Sequence, residues 1–149
     1  MKRTFLGLVA CISILSSCKN EPKQTPEQQP ASVNTTQCYS YATDKDTVSL
    51  KLTFEGNEVM GDLSYKYFQK DQSKGTLIGV MTGDTLFAIY TFTSEAVEST
   101  REVAFLKKGN DLVEGYGNVQ EKDGLVIFAN KGSLDFSSKI LLKLVECGK

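Results

Sequence analysis

The sequence contains no histidine and no tryptophan, and its three prolines all fall between residues 22 and 30. Without histidine there is no Ser-His-Asp or Cys-His nucleophile pair, no imidazole-ligated zinc or haem, and no imidazole switch near neutral pH. Charge of one sign does not dominate either. With 17 Lys+Arg against 18 Asp+Glu there is no basic footprint, so nucleic acid is not an expected partner. No G-x-G-x-x-G or G-x-x-x-x-G-K run cradles a phosphate. The turns at 56–57 and 109–111 lack the spaced oxygens of a calcium loop. Carboxylates are plentiful, but glycoside hydrolysis needs two at a set separation across a cleft. A chain of 149 residues, one domain at most, leaves little room for one. Neither catalysis nor a cofactor nor a metal is expected.

Long apolar runs are also missing. The longest, residues 5–15, is too short to cross a bilayer as a helix, which takes about 20 residues. It follows Lys2 and Arg3 and leads through Leu15, Ser16 and Ser17 to Cys18. This order of basic start, short apolar core, leucine, two small residues and cysteine resembles the bacterial lipoprotein signal with its lipobox. The resemblance implies cleavage before Cys18, a diacylglyceryl group on its sulfur and an acylated amine, so that residues 1–17 are a signal peptide and the membrane is the first partner. An ordinary secretory signal with an incidental cysteine is the alternative. Removing residues 1–17, with two basic groups and no acidic one, leaves 15 basic against 18 acidic residues, so acyl chains rather than charge would hold the protein to a membrane. Lys19 in the second mature position implies sorting to the outer membrane; whether the protein faces the periplasm or the cell surface stays open.

Residues 19–37 hold all three prolines and four glutamines, with Val33 the only large apolar side chain. Such a stretch cannot bury enough surface to offset its ordering entropy, and residues 18–37 are expected to be a lipidated, disordered tether reaching roughly 25 Å. The folded domain is expected over 38–149. Once Cys11 is discarded with the signal and Cys18 is lipidated, Cys38 and Cys147 remain. In an oxidising compartment they are expected to be linked, two free thiols being the alternative.

Between those cysteines the pattern is all-β. Val48, Leu50, Leu52 and Phe54 alternate with Ser49, Lys51, Thr53 and Glu55, then Gly56-Asn57 turns the chain into a second alternating run. Similar turns at Gly83-Asp84 and Gly109-Asn110 repeat the unit. Strands are predicted at 47–55, 58–67, 75–82, 85–94, 100–107, 111–119, 125–129 and 139–146. Eight short strands in sequence, with no proline among them and glycines at 61, 79, 115 and 117 where strands must bend, favour a small closed up-and-down barrel; a two-sheet sandwich is the alternative. The pattern resembles lipocalin-like barrels of bacterial lipoproteins, and residues 90–117 resemble a segment of small lipoproteins of Bacteroidota. The second resemblance brings no known activity with it.

Two groups of residues are candidate sites. Residues 94–102 are predicted as a polar loop in which Arg101, with Glu95 or Glu98, could clamp a carboxylate or phosphate at the barrel mouth. Glu114 and Tyr116 share one strand face, and Arg101 joins them if the turn at 109–110 has two residues. The second group is Ile78, Val80, Phe87 and Ile89, an apolar patch on the outward face of the second hairpin; either a neighbouring segment covers it or it is an interaction surface. Two functions follow as expectations. One is a non-catalytic envelope interaction or accessory module. The other, implied by the lipocalin resemblance, is a carrier or sensor of a small apolar ligand.

Overall fold

A computed structural model describes residues 34–148; the expected signal peptide, Cys18 and the expected tether up to residue 33 lie outside the described residues. Ten strands run in the order β1 Thr35–Ala42, β2 Thr47–Glu55, β3 Glu58–Lys66, β4 Ser73–Thr82, β5 Thr85–Ser94, β6 Val97–Lys108, β7 Asp111–Gly115, β8 Val119–Lys122, β9 Leu125–Phe128 and β10 Leu141–Val145. A single 3₁₀ turn, Lys131–Ser133, precedes β10, and the described residues contain no α-helix.

Alternation decides the architecture. In β2, Val48, Leu50 and Leu52 are buried, and β3 answers with Val59, Leu63 and Tyr65 in the predicted register: Phe54 opposite Val59, Leu52 opposite Gly61, Leu50 opposite Leu63. The second hairpin repeats this, with Leu77 opposite Tyr90, Gly79 opposite Ala88 and Met81 opposite Leu86. Each strand from β1 to β7 pairs antiparallel with the next, and β10 lies antiparallel between β7 and β1. Eight strands therefore close on themselves, and the fold is the expected up-and-down barrel, lipocalin-like in architecture, rather than a sandwich. The interior is filled by its own side chains: Tyr39, Leu50, Leu63, Leu77, Tyr90, Phe105 and Leu142 are among the buried residues that pack into one cluster. Gly61 and Gly79 also point inward, and a Cβ on either would collide with the carbonyl of Lys51 or Phe87 on the neighbouring strand.

The eight barrel strands are not the eight predicted. Residues 35–37, placed in the tether, begin β1, where inward Tyr39 and Tyr41 alternate with polar neighbours. Residues 125–129 leave the barrel: β8 and β9 form a hairpin joined to the edge of β6 through one parallel pair, Arg101 with Val126, beyond the stretch that β7 occupies. The predicted strand 111–119 ends at Gly115, because Tyr116 turns away to pair with Asp135 through both backbone bonds (2.9 and 2.8 Å). The ring of Phe136 rests on Gly115, where no Cβ would fit. The predicted loop 94–102 is instead a tight hairpin between β5 and β6, turned by Glu95 and Ala96 at φ 49° and 63°.

Candidate functional site

β6 carries buried Phe105 and Val103 on its inward face, and the same period brings Arg101 into the barrel. Lys108 pairs with Asp111, so Gly109 and Asn110 form a two-residue turn, and β7 delivers Glu114 to the same side. Glu114 is only 4% exposed. Its two oxygens accept hydrogen bonds from Tyr65 Oη (2.7 Å) and Tyr116 Oη (3.0 Å). Arg101 Nη2 stands 3.7 Å from Glu114 Oε1, an ion-pair distance outside hydrogen-bond reach. The Arg101 guanidinium lies over the rings of Tyr65, Tyr90 and Phe92 at 5.4, 5.9 and 5.8 Å. One cation clamped on aromatic faces thus caps the barrel end opposite Thr35, above a buried carboxylate.

A carboxylate taken out of water costs several kcal/mol unless it is paired and hydrogen-bonded. Two phenol donors and a nearby guanidinium supply that compensation here. Burial still dominates and holds the Glu114 carboxyl above its usual pKa, with the Tyr65 hydrogen bond, Arg101 and Tyr116 opposing it. Burial likewise raises the Tyr65 and Tyr116 phenols, helped by the Glu114 charge, and pushes Tyr67 up to about 12.

Where β7 parts from β6 beyond the Ala104–Gly115 pair, the barrel wall opens into a cleft of about 200 Å³. Arg101, Glu114 and Tyr116 form its polar side, and Val103, Val119, Val126 and Phe128 its apolar one. Outward-facing Glu102 fixes the cover of this cleft. It accepts from the Phe128 amide (3.1 Å) and pairs with Lys131 (2.6 Å).

Of the predicted residues, Arg101, Glu114 and Tyr116 do come together. Glu95 and Glu98 do not join them: Glu95 sits in the turn, and Glu98 lies an odd three residues from Arg101, hence on the opposite face of β6. The expected Arg101–Glu95/Glu98 clamp is replaced by Arg101–Glu114. Tyr65, Tyr90 and Phe92 were missed as site residues, although their inward alternation with Leu63 and Ala88 was visible. The apolar patch divides. Ile78 and Val80 are 66% and 48% exposed, while Phe87 lies beneath Lys131 Nζ (5.0 Å) and Ile89 is partly buried opposite Glu102. Among the described residues, what reaches Phe87 is Lys131, in the 3₁₀ turn after β9. Cys38 and Cys147 are joined by a disulfide, with Cα atoms 5.1 Å apart.

Among the described residues no cluster of Cys, Asp and Glu could hold a metal ion, and no helix is long and apolar enough to cross a membrane. Comparison with family models, curated proteins and solved structures finds no match.

Proposed function

We propose that the protein is a non-catalytic interaction module of a bacterial cell envelope, anchored through Cys18 in the outer membrane and meeting its partner at the barrel end that carries Arg101. The observation that supports this most is the contrast between lumen and mouth. Eight-stranded interiors have room for side chains or one small ligand, and here side chains take the space. The mouth, by contrast, holds a cation whose side chain is 41% exposed and lies over three aromatic rings. This end lies opposite Thr35, so attachment through the preceding chain would leave it free to meet a partner. The carrier reading is favoured only by an apolar cup of about 220 Å³ at the Thr35 end, lined by Leu52, Phe54, Met81, Leu86 and Leu112.

The test uses the full chain in a lipoprotein-processing bacterium, with a photoreactive residue at position 116 or, at the other end of the barrel, at position 57. A discrete adduct from 116 and none from 57 is expected, together with loss of fatty-acid labelling in Cys18→Ser. Equal adducts from both positions, or none from 116, overturn the mouth as the working surface. Normal labelling of Cys18→Ser overturns the anchor.

A further inference from the structure

The wall cleft places two opposite charges side by side, each with unused hydrogen-bonding capacity. The Arg101 head carries five N–H donors, yet its nearest acidic oxygen is 3.7 Å away and its buried Nε has no partner among the described residues. Glu114 accepts one phenol on each oxygen, and a carboxylate has lone pairs for further donors. Glu102, also at the cleft, is already engaged by Lys131 and the Phe128 amide, so it does not compete.

Going beyond the interaction reading, we propose that this cleft binds a free α-amino acid with an apolar side chain, its carboxylate on Arg101 and its ammonium on Glu114. The charges select for a zwitterion. A simple anion drawn to Arg101 would meet repulsion from Glu114 a few ångströms away, and a simple cation drawn to Glu114 would meet Arg101; a ligand carrying both charges on adjacent groups satisfies each. The volume selects for size. About 200 Å³ falls below the roughly 300–1,000 Å³ of sites that take drug-sized molecules. The remaining surface selects for an apolar side chain, since Val119, Val126 and Phe128 line the cleft together with the charged pair.

Calorimetric titration of the full chain in detergent with racemic leucine, 4-methylpentanoate and 3-methylbutylamine separates the contributions, because the last two are the leucine skeleton without its ammonium or without its carboxylate. Saturable binding of leucine is expected, with each half-ligand weaker by roughly tenfold or more. Arg101→Gln should weaken leucine by at least that factor. Because that variant also disturbs the aromatic stack, Val126→Trp provides a second probe: it fills the cleft from the partly exposed β9 side and should abolish binding while the circular dichroism spectrum stays native. No binding of leucine at about 10 mM, a half-ligand that matches it, or undiminished binding by both variants overturns the proposal. Adducts from position 116 in the crosslinking experiment would survive that outcome, so the two readings fail separately.

Discussion

Replacing Cys147 by serine opens a ring whose closing residues are 109 apart in sequence. The chain-entropy relation assigns such a ring about 5 kcal/mol at 25 °C, a large share of the roughly 5–15 kcal/mol that stabilises an ordinary domain. For the 115 described residues, an unfolding entropy of about 2.1 cal/mol/K per residue turns that figure into a fall in Tm of up to roughly 20 °C. The damage should not be uniform. The bond spans the seam where the last barrel strand meets the first, and that seam rests on three residue pairs, Cys38 with Val145, Tyr39 with Leu144 and Ser40 with Lys143, against nine between β2 and β3. Thermal unfolding by circular dichroism gives the first number. Hydrogen exchange read by mass spectrometry gives the second, and β1 and β10 should lose protection well before β4 and β5. An unchanged Tm, or protection lost equally around the barrel, would refute the view that this bond secures the closing seam.

Other consequences follow from single positions. Ala96 holds φ 63° in the β5–β6 turn, so Ala96→Gly should stabilise the protein by about 1 kcal/mol, seen as a Tm higher by several degrees; a lower Tm would mean that the turn is relaxed. Because Glu114 has a raised pKa in the folded state, its favourable contribution is complete below the ordinary glutamate value near 4.3 and is lost as pH rises through the folded value. The Tm of the wild type should therefore fall relative to Glu114→Gln as pH rises above the ordinary glutamate value, and parallel profiles would contradict the burial of an ionisable carboxyl there. Ile78→Asp should change stability by no more than about 0.5 kcal/mol, since the side chain is largely in solvent. Ile89→Asp, directly across from Glu102, should cost about 1 kcal/mol more in denaturant unfolding; equal effects would count against the partial cover over Phe87 and Ile89.

The sequence made β2 to β5 legible because most inward positions there are filled by large apolar residues and both hairpin turns, at 56–57 and 83–84, combine glycine with asparagine or aspartate. The misreadings occur where those chemical markers are weak. β1 begins with Thr35, Thr36 and Gln37, which look like linker until the inward tyrosines are counted as core. The turn at Glu95 and Ala96 uses residues that rarely accept positive φ, so a hairpin passed for an open loop. Gly115 and Gly117 signalled a bend, but the departure of the chain is decided by Asp135 and Phe136, some twenty residues later. In the site, Arg101, Glu114 and Tyr116 could be brought together on one condition, the length of the turn at 109–110. The rings that hold Arg101 come from β3 and β5, and only the curl of the closed sheet brings them over it.

The link between Cys38 and Cys147 also decides how the domain carries load. Any pull on the chain upstream of Thr35 tries to strip β1 from β2 like the first tooth of a zip. Only Thr35, Thr36 and Gln37 can come away before the force arrives at Cys38 and passes through a covalent bond to the far end of the chain, beyond β10. From that point the tension is shared between β1 and β10, so further peeling must open the β1–β2 and β10–β7 ladders together rather than one of them alone. A barrel tugged from its amino-terminal end would then resist a larger pull when oxidised than when reduced, so its toughness would track the redox state of its surroundings.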